Sequence, residues 1–235
     1  YRLCCMSLEP ENDYNIKTHT PQEWHDSDFH RKTREQMERG EWPDACTRCE
    51  QMEKQGLTSQ RLKLKAYGPG LSHLDLRLGN SCNLKCISCW HMSSSSIAEE
   101  AIAMQKAGIT PLHGILDVPN FNWSSPETFD KLLELPIQEV YFTGGEPMMV
   151  KHLPAFLERL DPDTQIRFNT NCTIWNPKLE KLLRKFRMVI MSLSLDATDK
   201  RIDYIRHGSK WKEIIEPNLH RYGSFAKVDI APTVS

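Results

Sequence analysis

Downstream of residue 70 the chain alternates strand-like and helix-like stretches, and this alternation limits its possible folds more than any other feature. The strand-like stretches are 73–79 (HLDLRLG), 138–143 (QEVYFT), 164–169 (TQIRFN), 188–195 (MVIMSLSL) and 226–234 (AKVDIAPTV). Helical patterns lie between them at 96–107, 126–134, 152–160, 177–186 and 211–221, with Gly108 closing the first and Asn176 capping the fourth. Strands joined by helices pair in parallel through right-handed crossovers. Five such units predict an α/β fold, an open partial (βα) barrel rather than a closed barrel of eight. The fifth strand runs to Val234 and Ser235. A bare parallel edge invites further pairing. The expectation is therefore a truncated sequence or another element over that edge.

Residues 1–70 read differently. They are polar, poor in strand patterns, and hold Cys4, Cys5, Cys46 and Cys49. Thr20-Pro21-Gln22-Glu23 is a capping-box signature with proline at the first helical position. A charged helix is expected over 27–39, ending at Gly40, and a short one over 47–57, ending at Gly56. The Tyr67-Gly68-Pro69-Gly70 turn separates the parts. This gives a small, irregular, helix-containing cysteine-rich module at 1–70 and a barrel at 71–235.

Charge and hydropathy exclude some partners. Thirty Lys+Arg against 31 Asp+Glu leave a net charge of −1, which calls for neither nucleic acid nor a membrane surface. No apolar run approaches the roughly 20 residues that span a bilayer. No signal peptide is recognisable at Tyr1-Arg2-Leu3-Cys4-Cys5. Seven of the eight cysteines sit in clusters too tight to staple loops. They suit thiolate ligation in a reducing compartment, so a cytoplasmic location is expected.

The barrel places its chemistry at the C-terminal strand ends, and each motif falls at one. Cys82, Cys86 and Cys89 follow the first strand as C-x3-C-x2-C. They offer three thiolates with no fourth nearby, whereas a structural zinc or an ordinary cluster uses four. The spacing points to a cluster with one iron open to another ligand. The alternative is zinc completed by His91 or His73. Gly144-Gly145-Glu146-Pro147 follows the second strand, where a glycine pair lets a ligand approach the backbone; the alternative is a plain strand-to-helix turn. Asn169 and Asn171 end the third strand. Ser192, Ser194 and Asp196 end the fourth. Asn80, Asn83 and Lys85 read as loop residues, the alternative for Asn83 being a cap of its own turn through backbone amides, and Cys172 is expected to be a small buried residue. His19, His25, His30, His113, His152, His207 and His220 show no ligand spacing. Trp24, Trp42, Trp123 and Trp175 read as packing anchors. No general acid/base pair is legible.

Together, the cysteine loop and Gly144–Pro147 resemble radical S-adenosylmethionine (SAM) enzymes. The resemblance implies a catalytic [4Fe-4S] cluster on Cys82, Cys86 and Cys89, with SAM on the open iron. It implies that Gly144, Gly145, Glu146 and Pro147 hold the amino group of SAM, and that Ser194 and Asp196 face its ribose and carboxylate, with Asn169 in the same pocket. Arg206, in Asp203-Tyr204-Ile205-Arg206-His207-Gly208, matches an arginine that pairs with the SAM carboxylate, a task that suits its fork; the alternative is a solvated helix residue. The usual aromatic residue before the third cysteine is Ser88 here. Trp90 either covers the adenine from another angle or belongs to the core. The implied activity is reductive cleavage of SAM to a 5′-deoxyadenosyl radical that takes hydrogen from a substrate, an oxidoreductase-type chemistry. A reductant such as flavodoxin or ferredoxin is implied as partner.

The N-terminal segment resembles auxiliary-cluster modules of the twitch or SPASM kind, most closely a group among phage and marine bacterial sequences. The shared stretch runs from Arg34 to Cys46 and on to Glu53, Gly56 and Ser59-Gln60-Arg61. It implies that Cys4, Cys5, Cys46 and Cys49 hold a second iron–sulfur cluster, with a zinc ribbon or idle thiols as the alternatives. By analogy with such enzymes the substrate is a peptide. Two rival functions stand beside this one: an iron–sulfur electron carrier, and a zinc-binding interaction module.

Overall fold

The computed structural model describes residues 1–8, 12–64, 70–111 and 122–233. His113, most of the Tyr67–Gly70 turn and the last residue of the 226–234 strand stretch lie outside them.

The helices are α1 (Pro21–His25), α2 (Asp28–Glu38), α3 (Thr47–Lys54), α4 (Gln60–Leu64), α5 (Ser95–Lys106), α6 (Pro126–Leu133), α7 (Leu153–Arg159), α8 (Pro177–Leu183), α9 (Asp199–Ile205) and α10 (Glu216–Gly223). The strands are β1 (His73–Arg77), β2 (Lys85–Cys86), β3 (Glu139–Thr143), β4 (Gln165–Thr170), β5 (Val189–Leu193), β6 (Arg206–His207) and β7 (Lys227–Ile230). The chain divides into two compact units. The first is Tyr1–Asp75 with Glu127–Gln138, and the second is Leu76–Pro126 with Glu139–Ser235. Glu127–Gln138 thus groups with the N-terminal part, which the boundary expected at residue 70 does not anticipate.

In the first unit, Thr20 opens α1 as a reciprocal cap. Its hydroxyl accepts from the Glu23 N–H, and the Glu23 carboxylate accepts from the Thr20 N–H at 2.6 Å. Such caps satisfy helix donors that otherwise lack partners. Trp24 is buried and stacks on Phe29 at 5.9 Å. Lys131 of α6 explains why its segment belongs here. Its ammonium donates to the Ile16 carbonyl at 2.8 Å and to those of Lys17 and His19, capping three acceptors of a turn with one charge.

The second unit carries the sheet, whose order is β1-β3-β4-β5-β7. All five strands are parallel, as the α/β partial barrel requires. Register runs Glu139↔Gln165 through Phe142↔Phe168, then Ile166↔Val189 through Thr170↔Leu193, then Ile190↔Lys227 through Leu193↔Ile230. Each strand neighbours the next helix-linked strand in sequence, the arrangement that short right-handed crossovers produce. Along β4 the burial alternates, with Ile166, Phe168 and Thr170 inward. Phe142 stacks on Phe168 at 4.8 Å and meets Phe156 edge-on at 6.1 Å. Burying each such ring contributes roughly 1.5–3 kcal/mol.

Three features depart from the sequence reading. The 211–221 stretch opens as a π-helical turn, Trp211–Ile215, before α10. Helix α9 adds to the helical stretches read from the sequence, between β5 and β6. A second, two-stranded antiparallel sheet pairs β2 with β6, Lys85 with His207 and Cys86 with Arg206. Among the described residues no helix is long and apolar enough to cross a membrane.

Candidate active site

The loop after β1 carries Cys82, Cys86 and Cys89 as free thiols. It is pinned at three places. The Cys82 carbonyl accepts from the Ser95 and Ser96 hydroxyls at 3.1 and 2.7 Å, which fixes it to the start of α5. Cys86 lies in β2, bonded to β6, and the Ile87 N–H continues that pairing to the Ile205 carbonyl at 2.8 Å. The Cys89 N–H turns back to the Cys86 carbonyl at 3.0 Å.

Glycines at the end of β3 dock on this loop. The Gly145 N–H donates to the Gly79 carbonyl at 2.9 Å and the Glu146 N–H to the Ser81 carbonyl at 2.7 Å. A Cβ at Gly145 would lie 2.3 Å from the Ser81 carbonyl oxygen, and one at Gly144 would lie 2.6 Å from that of Gly79. Gly144 also has φ +122°, a conformation that favours glycine. The close approach expected of a ligand is made on this side by the chain's own backbone.

Glu146 is buried, and its carboxylate points inward. It accepts from the Met148 N–H at 3.1 Å, the Thr170 hydroxyl at 2.8 Å and the Asn171 N–H at 2.7 Å. Burial pushes this carboxyl up to about 7, against those three hydrogen bonds. The acidic residue of the motif therefore joins the ends of β3 and β4. Pro147 starts the short turn that follows.

Arg206 is no solvated helix residue. It follows α9, is 7% exposed, and forms a two-pronged ion pair with Asp196 at 2.7 and 3.0 Å. Asp196 also accepts from the Thr233 N–H at 2.8 Å. Burial would raise the Asp196 carboxyl, but the hydrogen bonds from Arg206 and Thr233 and the Arg206 charge hold it below its ordinary value. A guanidinium nitrogen of Arg206 stands 3.9 Å from Cys86 Sγ. Burial, opposed by the Arg206 charge, pushes the Cys86 thiol up to about 11. Cys82 is raised too, again chiefly by burial. Both thiols must lose protons to ligate a metal, as thiolate sites generally require.

Asn83 does not cap its own turn. Its amide donates to the Thr173 hydroxyl at 2.8 Å and accepts from Asn171 at 3.0 Å. Asn169 sits on β4 in register with Ser192, and the Ser194 N–H donates to the Thr170 carbonyl at 2.8 Å. Trp90 is 47% exposed, so it is not core. Cys172 is fully buried, with φ +63°. The sequence places Asn171 at its strand end and Asn83 in its loop, but not Thr173 or the bonds that join the three, since these link residues about ninety positions apart.

Three soft thiolate donors on one loop would suit an iron–sulfur cluster. Among the described residues no three His, Cys, Asp or Glu side chains are arranged to hold one metal ion. Asn171 and Arg206 aim N–H groups at the Cys82 and Cys86 sulfurs, a usual accompaniment of cluster ligation.

In the first unit, the Leu8 N–H donates to the Ala45 carbonyl at 2.9 Å, which ties the segment after Cys4-Cys5 to the residue before Cys46. Arg61 stacks over the Trp42 ring at 4.3 Å and pairs with Glu53 at 2.6 Å, and Glu53 also accepts from the Ser59 hydroxyl. Burial and the nearby Asp75 raise the Cys5 thiol.

Comparison with known proteins agrees with this geometry. The chain is 28% identical over 141 residues to the "Probable GTP 3′,8-cyclase" of Methanocella arvoryzae, covering 58% of this chain and 38% of that protein. It is 29% identical over 141 residues to the GTP 3′,8-cyclase of Mycolicibacterium smegmatis, covering 57% and 33%. The chain thus spans well under half the length of these curated relatives. A solved structure described as histidine-tagged anSMEcpe with bound AdoMet shares the fold, with TM-score 0.50, 18% identity, and coverage of 69% of this chain and 43% of that one. The sequence profile of the Radical SAM superfamily matches residues 76–217, from β1 into α10. The chain belongs to the radical SAM superfamily.

Proposed function

We propose that the chain catalyses one-electron cleavage of SAM to methionine and a 5′-deoxyadenosyl radical, which takes a hydrogen atom from a substrate. One observation carries the reading: the three-thiolate loop and the glycine motif meet at neighbouring strand ends, locked by the Gly145–Gly79 and Glu146–Ser81 hydrogen bonds. Neither an electron carrier nor a zinc module needs that second motif. A [4Fe-4S] cluster bound by Cys82, Cys86 and Cys89 supplies the electron and an open iron site for SAM.

The chain's own residues position the reactants. Gly144, Gly145 and Pro147 present backbone to the amino group of SAM, while the Glu146 carboxylate serves the chain's own donors. Ser194 and Asp196 face the ribose, with Asn169 beside them. Arg206 keeps its charge next to Cys86 because Asp196 fixes its fork, and the same charge attracts the SAM carboxylate. Burial of these groups excludes water from a reactive radical.

Cys4, Cys5, Cys46 and Cys49 hold an auxiliary cluster in this reading. The Leu8–Ala45 bond supports it. The substrate proposed is a peptide, as the resemblance of this segment implies. The relatives' name makes GTP the comparison substrate.

The test is anaerobic reconstitution, then incubation with SAM and dithionite, with 5′-deoxyadenosine read by mass spectrometry. Wild type yields 5′-deoxyadenosine, and Cys86→Ala yields at least a hundredfold less (~10²) because one iron loses its ligand. A full, reducible cluster with no 5′-deoxyadenosine would favour the electron-carrier reading. Cys46→Ser is expected to lose one of two clusters in iron and sulfide analysis. Unchanged iron would remove the auxiliary cluster from the proposal.

A further inference from the structure

A closed ring of side-chain hydrogen bonds stands behind the first cysteine. The Asn171 side-chain oxygen accepts from both the N–H and the hydroxyl of Thr173, at 2.9 and 2.6 Å. A backbone N–H can only donate, so this end of the amide must be its oxygen. The Asn171 NH2 group then faces the other way with two hydrogens. One goes to Asn83 Oδ1 at 3.0 Å, and Cys82 Sγ lies 3.9 Å from the same nitrogen. Asn83 closes the ring by donating to the Thr173 hydroxyl at 2.8 Å.

Two features hold the ring in place. The Asn171 N–H is anchored on the Glu146 carboxylate at 2.7 Å. Cys172 adopts φ +63°, a left-handed turn that brings Thr173 back under the Asn171 side chain. Asn171 is 6% exposed and Cys82 is 9% exposed, so water does not compete for the sulfur. Every other donor and acceptor of the Asn171 amide is used, and one N–H remains for Cys82.

We propose that Asn171 is a positioning residue that donates its remaining amide N–H to the Cys82 sulfur and thereby raises the reduction potential of the cluster bound there. This rests on the reading of Cys82 as a cluster ligand. The physical cause is electrostatic. The reduced cluster carries one more electron than the oxidised one, with no change in bound atoms. A hydrogen bond to a ligating sulfur stabilises the more negative state more strongly. Ring closure makes the effect dependable, since the amide cannot turn without breaking three partners.

The experiment is a redox titration followed by electron paramagnetic resonance, without SAM, on reconstituted full chain. Iron and sulfide are counted first. Asn171→Leu is expected to keep the wild-type iron content and to titrate at a more negative potential. Asn171→Asp, which keeps the acceptor for Thr173 but loses the donor and adds charge, is expected to shift further the same way. It also carries the test if the leucine variant loads poorly. Potentials equal to wild type in both variants would overturn the proposal. So would loss of the cluster in both, which would make Asn171 a folding residue. A cluster undiminished in Cys82→Ala would instead overturn the ligand reading itself.

Discussion

Arg206→Ala is expected to destabilise the barrel unit by roughly 3–5 kcal/mol, the usual cost of stranding one partner of a buried pair. The Arg206 and Asp196 side chains are only 9% and 5% exposed, so solvent screens them little. The remaining carboxylate keeps just the Thr233 N–H. Asp196→Ala should cost a similar amount, by leaving the guanidinium unpaired. The double variant should cost clearly less than the sum, because no lone charge is left behind. Denaturant unfolding of the four proteins measures this cycle. A loss below about 1 kcal/mol in Arg206→Ala would mean that the pair behaves like a surface bridge. The pH dependence has a definite sign. The Asp196 carboxyl is held below its ordinary value in the fold, so its stabilisation is present above the ordinary carboxylate pKa of about 4 and fades as pH falls through the folded value.

Glu146 should act in the opposite direction. Its carboxyl titrates near 7 in the fold against an ordinary 4.5, so the folded chain keeps a proton that the unfolded chain has released. Stability is then fully present below about pH 4.5 and declines as pH rises through 7, by roughly 3 kcal/mol in all. Glu146→Gln should flatten this slope. Glutamine offers one acceptor oxygen where three donors converge, so the variant starts about 1–3 kcal/mol below wild type in acid. The two stability curves should draw together by neutral pH. Urea midpoints measured from pH 4.5 to 8 test this, and parallel curves would show that another group carries the slope.

The sequence disclosed the fold where interactions are local or repetitive. The strands β3 and β5 announce themselves as apolar runs such as VYF and VIMSL, and β4 by the alternation in QIRF. Pro126 and Pro177 marked the first turns of α6 and α8. The pair β2 and β6 has two residues in each strand, too few for any periodicity. Helix α9 has seven residues and buries only Ile202, which leaves little apolar periodicity to read. The same division holds for the site. Cysteine spacing and the glycine pair are local and legible. The Asn83–Asn171–Thr173 ring joins the loop after β1 to the end of β4, some ninety residues on, and the Asp196–Arg206 pair depends on how α9 turns the chain back. The meaning of Glu146 lay in the direction of its side chain, inward to Thr170 and Asn171.

The β2–β6 pairing has a consequence for how the protein is made. Cys86 and Arg206 are 120 residues apart, yet the middle of the cysteine loop takes its backbone partners from the segment after α9. A growing chain that has released only Cys82 to Cys89 has its thiols but no scaffold to hold them apart. Contacts so distant in sequence form late, because the intervening chain must first be ordered. In the proposed reading a cluster on this loop would then be loaded after the segment around residue 207 has emerged and paired with β2, and a chain stalled before that point would present its three thiols without that pairing.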